Sequence, residues 1–293
     1  MEWKDLKYIL IKYIKILRAN YLYVIWGIIN FYIAFLILGA NASVFFVCLS
    51  FSFISLKIAL SPLGEEILRI INGVRSLETR REKDYLIPLF EEIYDEVKEE
   101  YPNLQHIEIC IMDTLTVNAL ALGNHTIAVT RGAIETFTED ELKGIILHEF
   151  GHIIHGDTKA MLLNMIGNGI FSIGIIIVKI FLLFFDLAML SFHKNSHGLT
   201  YVFIVLIRFI LSLSLLAFTF TGSVILSINS RKNEYSADSF ANEIGYGEDL
   251  INALYLLQKM SLGENMKLIE KMQSSHPHIA KRIGRLEALE TDG

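Results

Sequence analysis

Charge is scarce in this 293-residue chain, and it is withheld from whole stretches. Asp, Glu, Lys and Arg make up 20% of the residues, below the roughly 25% of an average soluble domain. Mean hydropathy is +0.44. A disordered chain needs low hydrophobicity and high net charge, so disorder is excluded. Cysteine is nearly absent: Cys48 and Cys110 are the only two, too few for a disulfide scaffold. Positive charge is not in excess either. The net charge is −6 and no basic face is evident, which excludes nucleic acid as a partner.

The missing charge is localised. Ala19–Leu56 holds no charged residue in 38 positions, and Lys159–Ile228 holds five: Lys159, Lys179, Asp186, Lys194 and Arg208. A membrane-spanning helix needs about 20 mostly apolar residues. The first window has room for two short spans, near Tyr21–Leu38 and Ser43–Leu60, with a turn at Gly39–Ala42. The second has room for two more, near Met165–Phe185 and Tyr201–Leu226. Lys4, Lys7, Lys12, Lys15 and Arg18 precede the first span, and Arg231 and Lys232 follow the last. By the bias of Lys and Arg toward the cytoplasm, both termini and Pro62–Thr158 face that side.

Five parts follow. Met1–Asn20 is an interfacial segment with a basic edge. Tyr21–Ser61 is one hydrophobic hairpin and Met161–Ile228 a second. Pro62–Ala160 and Asn229–Gly293 are two halves of one polar domain. In the first half, Pro88–Glu100 has helical spacing, while His106–Met112, Thr114–Leu122 and Thr126–Thr130 read as a small sheet with a turn at Gly123-Asn124. Thr138 and Glu141 form a capping box that opens a helix. In the second half, Arg231–Ile244, Glu248–Leu262 and Ile279–Leu289 read as helices.

The helix opened at Thr138 contains His148-Glu149-Phe150-Gly151-His152. Histidines at i and i+4 share a face, so both imidazoles reach one zinc ion at about 2.0–2.1 Å. Glu149, beside the first of them, is placed to take a proton from a water acidified by the metal. A catalytic zinc needs a third protein ligand and an open position. His155 is too far from His148, seven residues or about 10 Å along the axis. A histidine-ligated variant with a glycine turn would need Gly at 155 and His at 158, where His155 and Thr158 stand. Glu234 is a better third ligand, with Asp238 on the same face to hold a ligand histidine by its other ring nitrogen. On spacing alone, acidic residues four apart are as readily a solvated face. His276, before Pro277, is the better candidate for an oxyanion donor, and Arg282 for a support that can pair with Asp238; by type and place both are as readily structural.

These motifs together resemble the HtpX-like membrane zinc metalloproteases, of the same broad group (family M48) as the CAAX prenyl proteases of the Ste24 type. The resemblance is carried by His148–His152, Gly156-Asp157, Arg231–Asp238, and Ser275-His276-Pro277 with Arg282-Ile283. It implies a mainly α membrane protein, with four transmembrane helices in two hairpins and a cytoplasmic α+β zincin-like (gluzincin) catalytic domain. It implies one zinc per chain bound by His148, His152 and Glu234, with Glu149 as base. Thr116–Leu122, with Asn118 and Ala119, looks like the substrate-binding edge strand. The implied activity is endopeptidase action on misfolded or membrane proteins, for quality control, at the cell membrane. His278 departs from the family pattern, where many relatives have a second proline. A metal carrier or sensor using His148, His152, His193 and His197 is the alternative. It is disfavoured because the spans lack a soft-metal ligand set.

Overall fold

The computed structural model describes residues 20–37, 40–59, 61–158, 198–260 and 277–292, with isolated positions 14, 18, 162, 180 and 184. Apart from positions 14, 18 and 20 of the interfacial segment and 180 and 184 of the span Met165–Phe185, those two segments lie outside the described residues, as do the connection with His193 and His197 and His276.

Two apolar helices come first, α1 (Tyr21–Ile37) and α2 (Ala42–Ala59). A short helix, α3 (Pro62–Ile71), leads into strand β1 (Val74–Ser76). Helix α4 (Arg80–Glu100) starts on a capping box between Thr79 and Glu82, eight residues earlier than the periodicity from Pro88 indicates. The remaining strands are β2 (Glu108–Met112), β3 (Ala119–Leu122) and β4 (Thr126–Thr130). Their order is β1-β2-β4-β3, with only β2 and β4 parallel, so β3 is an edge strand.

Helices α5 (Arg131–Thr136) and α6 (Glu139–His155) follow. The α6 capping box is formed: Thr138 Oγ1 accepts from the Glu141 N–H at 3.3 Å, and Glu141 accepts from the Thr138 N–H at 2.8 Å. Helix α7 (Gly198–Glu243) is one unbroken element of 46 residues. The sequence change at Arg231, read as the start of a separate helix, leaves no break in it. No proline or glycine falls there to interrupt the backbone ladder. Helices α8 (Gly247–Met260) and α9 (Ile279–Asp292) complete the described chain.

One core joins these parts. Leu142, Ile146 and Phe150 of α6 pack with Ile93 and Val97 of α4, Ile127 and Val129 of β4, Phe240 of α7, and Leu250 of α8. Phe90 stacks on Phe150 at 5.5 Å. The first apolar hairpin is tied to α7. Trp26 stacks on Phe218 at 4.7 Å. Asn20, fully buried, accepts from the side-chain amides of Asn229 at 2.7 Å and Asn233 at 2.9 Å. Buried amides need such partners, and this knot sits one residue from Glu234.

Candidate active site

Helices α6 and α7 must approach closely for their side chains to share a centre. Gly151, between the two histidines, permits this: a β-carbon there would lie 2.8 Å from Cα of Ala237. Ala237 in turn stands between Glu234 and Asp238. The close crossing brings His148, His152 and Glu234 together, each offering one ligand atom, all within 4.8 Å of one another. The imidazoles meet edge to face at 4.8 Å between centroids. Nε2 of His148 is 3.6 Å from one Glu234 oxygen, and Nε2 of His152 is 3.6 Å from the other.

The far side of each ring is held. Nδ1 of His148 is 3.0 Å from Asp238, and Nδ1 of His152 is 3.1 Å from Asp157. Carboxylates on Nδ1 set the tautomer that leaves Nε2 as the free ligand atom. Asp157 reaches back because Gly156 ends α6 in the left-handed conformation, at φ 77°, which glycine adopts without steric cost. Asp157 and Gly151 hold places at this cluster that motif spacing does not reveal. The signal for Asp157 was the Gly-Asp pair after the second histidine.

Arg282, from α9, neutralises part of this negative charge. It donates to Asp238 through Nε at 2.9 Å and Nη2 at 2.6 Å, and Nη1 lies 3.2 Å from Glu234. Burial would raise the Asp238 pKa, but His148 and Arg282 hold it below the ordinary carboxylate value. Burial likewise opposes charge on His152. Hydrogen bonds donated by its ring to Asp157 and Glu234, with the field of Glu149, outweigh it and push His152 up to about 10. The centre thus attracts positive charge. Two imidazole nitrogens facing a carboxylate oxygen form an N/O set that suits zinc.

Glu149 is outside that set of three. Its Oε2 accepts the backbone N–H of Ala121, on edge strand β3, at 2.7 Å. Asn118 turns its backbone the other way: its N–H donates to Thr130 Oγ1 and its carbonyl accepts from the Thr130 N–H, both at 3.0 Å. By the alternation of an antiparallel ladder, Ala119 presents its backbone to the open edge with Ala121. The side chain of Asn118 is exposed. His155 is not in the cluster and meets Phe240 edge to face at 6.2 Å.

A family model described as peptidase family M48 matches residues 81–290. The chain belongs to peptidase family M48. Similar proteins include the protease HtpX of Stutzerimonas stutzeri (strain A1501), 30% identical over 184 residues, covering 61% of this chain and 58% of the relative. The protease HtpX homolog of Janthinobacterium sp. (strain Marseille) is 29% identical over 189 residues, covering 59% of this chain and 62% of the relative. The matched part of this chain therefore spans about three-fifths of the length of these relatives. Among solved structures, S. mikatae Ste24p has a similar fold, with a TM-score of 0.50 at 19% identity, covering 97% of this chain and 66% of that one.

Proposed function

We propose that the chain is a membrane-bound, zinc-dependent endopeptidase that holds one zinc through His148, His152 and Glu234. The supporting observation is the pair of Nε2 atoms facing Glu234 while separate carboxylates hold both Nδ1 atoms. When bound, the metal polarises the scissile carbonyl and acidifies water. Glu149 takes a proton from the attacking water and passes it to the departing amine. Arg282 and Asp238 orient His148. His276 is assigned the donor role toward the carbonyl oxygen as negative charge develops. An extended substrate adds to the open edge of β3 at Ala119 by main-chain hydrogen bonds, with Asn118 beside it. Substrates in this reading are misfolded or membrane proteins, and the role is protein quality control.

The same reading places the chain in the cell membrane as a multi-pass protein. Four spans form two hairpins, with both termini and the site cytoplasmic. Among the described residues, the helix segment Ser212–Glu243 contains a window long and apolar enough to cross a membrane by length and composition, and Tyr21–Leu36 and Ala42–Ser55 are shorter apolar helices. Phe46 and Val47 on α2 and Phe209 on α7 are each 64% exposed, apolar surface of the kind that lipid covers. A reporter fused at Gly293 and found outside the cell would sink this topology.

The deciding test is cleavage of an unfolded protein by wild type and Glu149→Gln, with and without chelator. Wild type should cleave and lose activity with its zinc. The variant should keep zinc, because Glu149 is not a ligand, and lose several orders of magnitude in turnover. Near-wild-type turnover in Glu149→Gln would defeat the peptidase reading.

A further inference from the structure

We infer that Glu65 is a positioning residue for peptide cleavage: it grips the β3–β4 turn and so aims edge strand β3 at Glu149. The inference rests on the peptidase reading above. Glu65 lies on α3, directly after the first apolar hairpin, and is only 9% exposed. A buried carboxylate must replace its lost water with donors, and all of them come from one turn. Glu65 Oε1 accepts from Thr126 Oγ1 at 2.6 Å and from the His125 N–H at 3.3 Å. Its Oε2 accepts from the Asn124 N–H at 3.2 Å and lies 3.1 Å from His125 Nδ1.

That turn is where β3 is steered. The strand has a single strand neighbour, β4, and on its open side the Ala121 N–H meets Glu149. Asn124 is three residues beyond Ala121, about 10 Å at most along an extended chain. A second grip comes from just past the end of α6: Thr158 Oγ1 donates to the Gly123 carbonyl at 2.5 Å. Thr158 directly follows Asp157, the partner of His152. The turn is therefore clamped between the end of the metal helix and Glu65. Moving it displaces both the strand that receives substrate and the N–H that orients the base. Leu68 of α3 packs against Leu122 of β3 independently of the carboxylate. Loss of Glu65's charge should therefore shift the turn rather than unfold the domain.

Two variants of the full chain test this. Glu65→Gln keeps the volume but turns an NH2 donor toward other donors. Thr126→Val removes the 2.6 Å bond from the opposite partner and leaves Glu65 in place. Zinc stoichiometry, thermal midpoint, kcat and KM are measured on a short peptide and on an extended one long enough to run along β3. In Glu65→Gln, zinc stoichiometry stays at the wild-type value. Its kcat should fall about tenfold on both peptides, the scale of a lost charge-assisted hydrogen bond. KM should rise for the extended peptide only. Thr126→Val should show the same pattern more weakly, and it carries the test if Glu65→Gln does not fold. Wild-type kcat and KM in the zinc-loaded variants, with only the thermal midpoint lowered, would overturn the positioning role and leave Glu65 merely structural. A wild-type protein that cleaves neither peptide would overturn the peptidase reading, and this inference with it.

Discussion

Removing Arg282 is the sharpest probe of how the centre balances its charge. The guanidinium is 7% exposed and makes a bidentate pair with Asp238, itself 2% exposed, while a third nitrogen reaches Glu234, 3% exposed. Arg282→Leu deletes the cation and leaves two buried carboxylates facing His148 with less compensation. Breaking a buried pair by removing one partner costs about 3–5 kcal/mol. At roughly 2–4 °C per kcal/mol for a chain of this size class, the metal-free variant should melt on the order of 10 °C below wild type. A bound divalent cation supplies the missing charge to Glu234, so zinc should recover more of the midpoint in the variant than in wild type. Arg282→Lys keeps the charge but not the fork and should fall between the two. The assay is thermal unfolding of the full chain, chelated and zinc-loaded. A chelated Arg282→Leu protein that melts within about 1 °C of wild type would refute the reasoning. It would mean that water or rearranged donors already satisfy both carboxylates.

Asp157→Ala removes the partner of His152 Nδ1 and should weaken zinc binding about 10- to 100-fold. One zinc should still bind at saturation, and competition against a chelator checks both points. Unchanged affinity would show that Asp157 does not set that ring. A further prediction concerns pH and lies away from the metal. Hydrogen bonds from Arg75 and Arg131 hold the Asp113 pKa at about 2, below its ordinary 3.8. Its contribution should be complete above the ordinary value and should be lost as pH falls from there through about 2. The group is exposed, so the effect should be small and should shrink with added salt. Thermal midpoints of wild type and Asp113→Asn should converge across that window; identical acid slopes in both would reject the linkage.

How much was legible depended on whether the information was local. Thr138 and Glu141 announce the start of α6 because a capping box is chemistry between near neighbours, and the histidine spacing sits on that helix. Strand β4 was readable from its short β-branched run. Strand β1 was not: three residues, Val74–Ser76, are too few to show a period, and β2 supplies the pairing. The apolar period of helix α4 shows only from Pro88, because Arg80–Ile87 is mostly polar and charged, and its start is marked by the Thr79–Glu82 cap alone. The roles of Gly151 and Asp157 depend on contacts across the fold or around a left-handed turn, which residue spacing does not encode. Arg282 is the contrary case: charge complementarity marks it as a support able to pair with Asp238, and the two meet across 44 residues of sequence.

Helix α7 also decides how the chain can be cut. A soluble fragment trimmed at Ile228–Asn229 would begin inside a helix. Its first four N–H groups would lose their carbonyl partners, and the fraying would reach Glu234, five residues past the new end. Removal of the first hairpin together with the segment before it would at the same time take Asn20 away from Asn229 and Asn233. The route to a water-soluble form is therefore repainting rather than excision. Outward apolar side chains such as Phe209, Ile210, Leu213 and Leu216, all more than half exposed, can be made polar while the rod keeps its length. The metal-facing turn would then still be held from both ends.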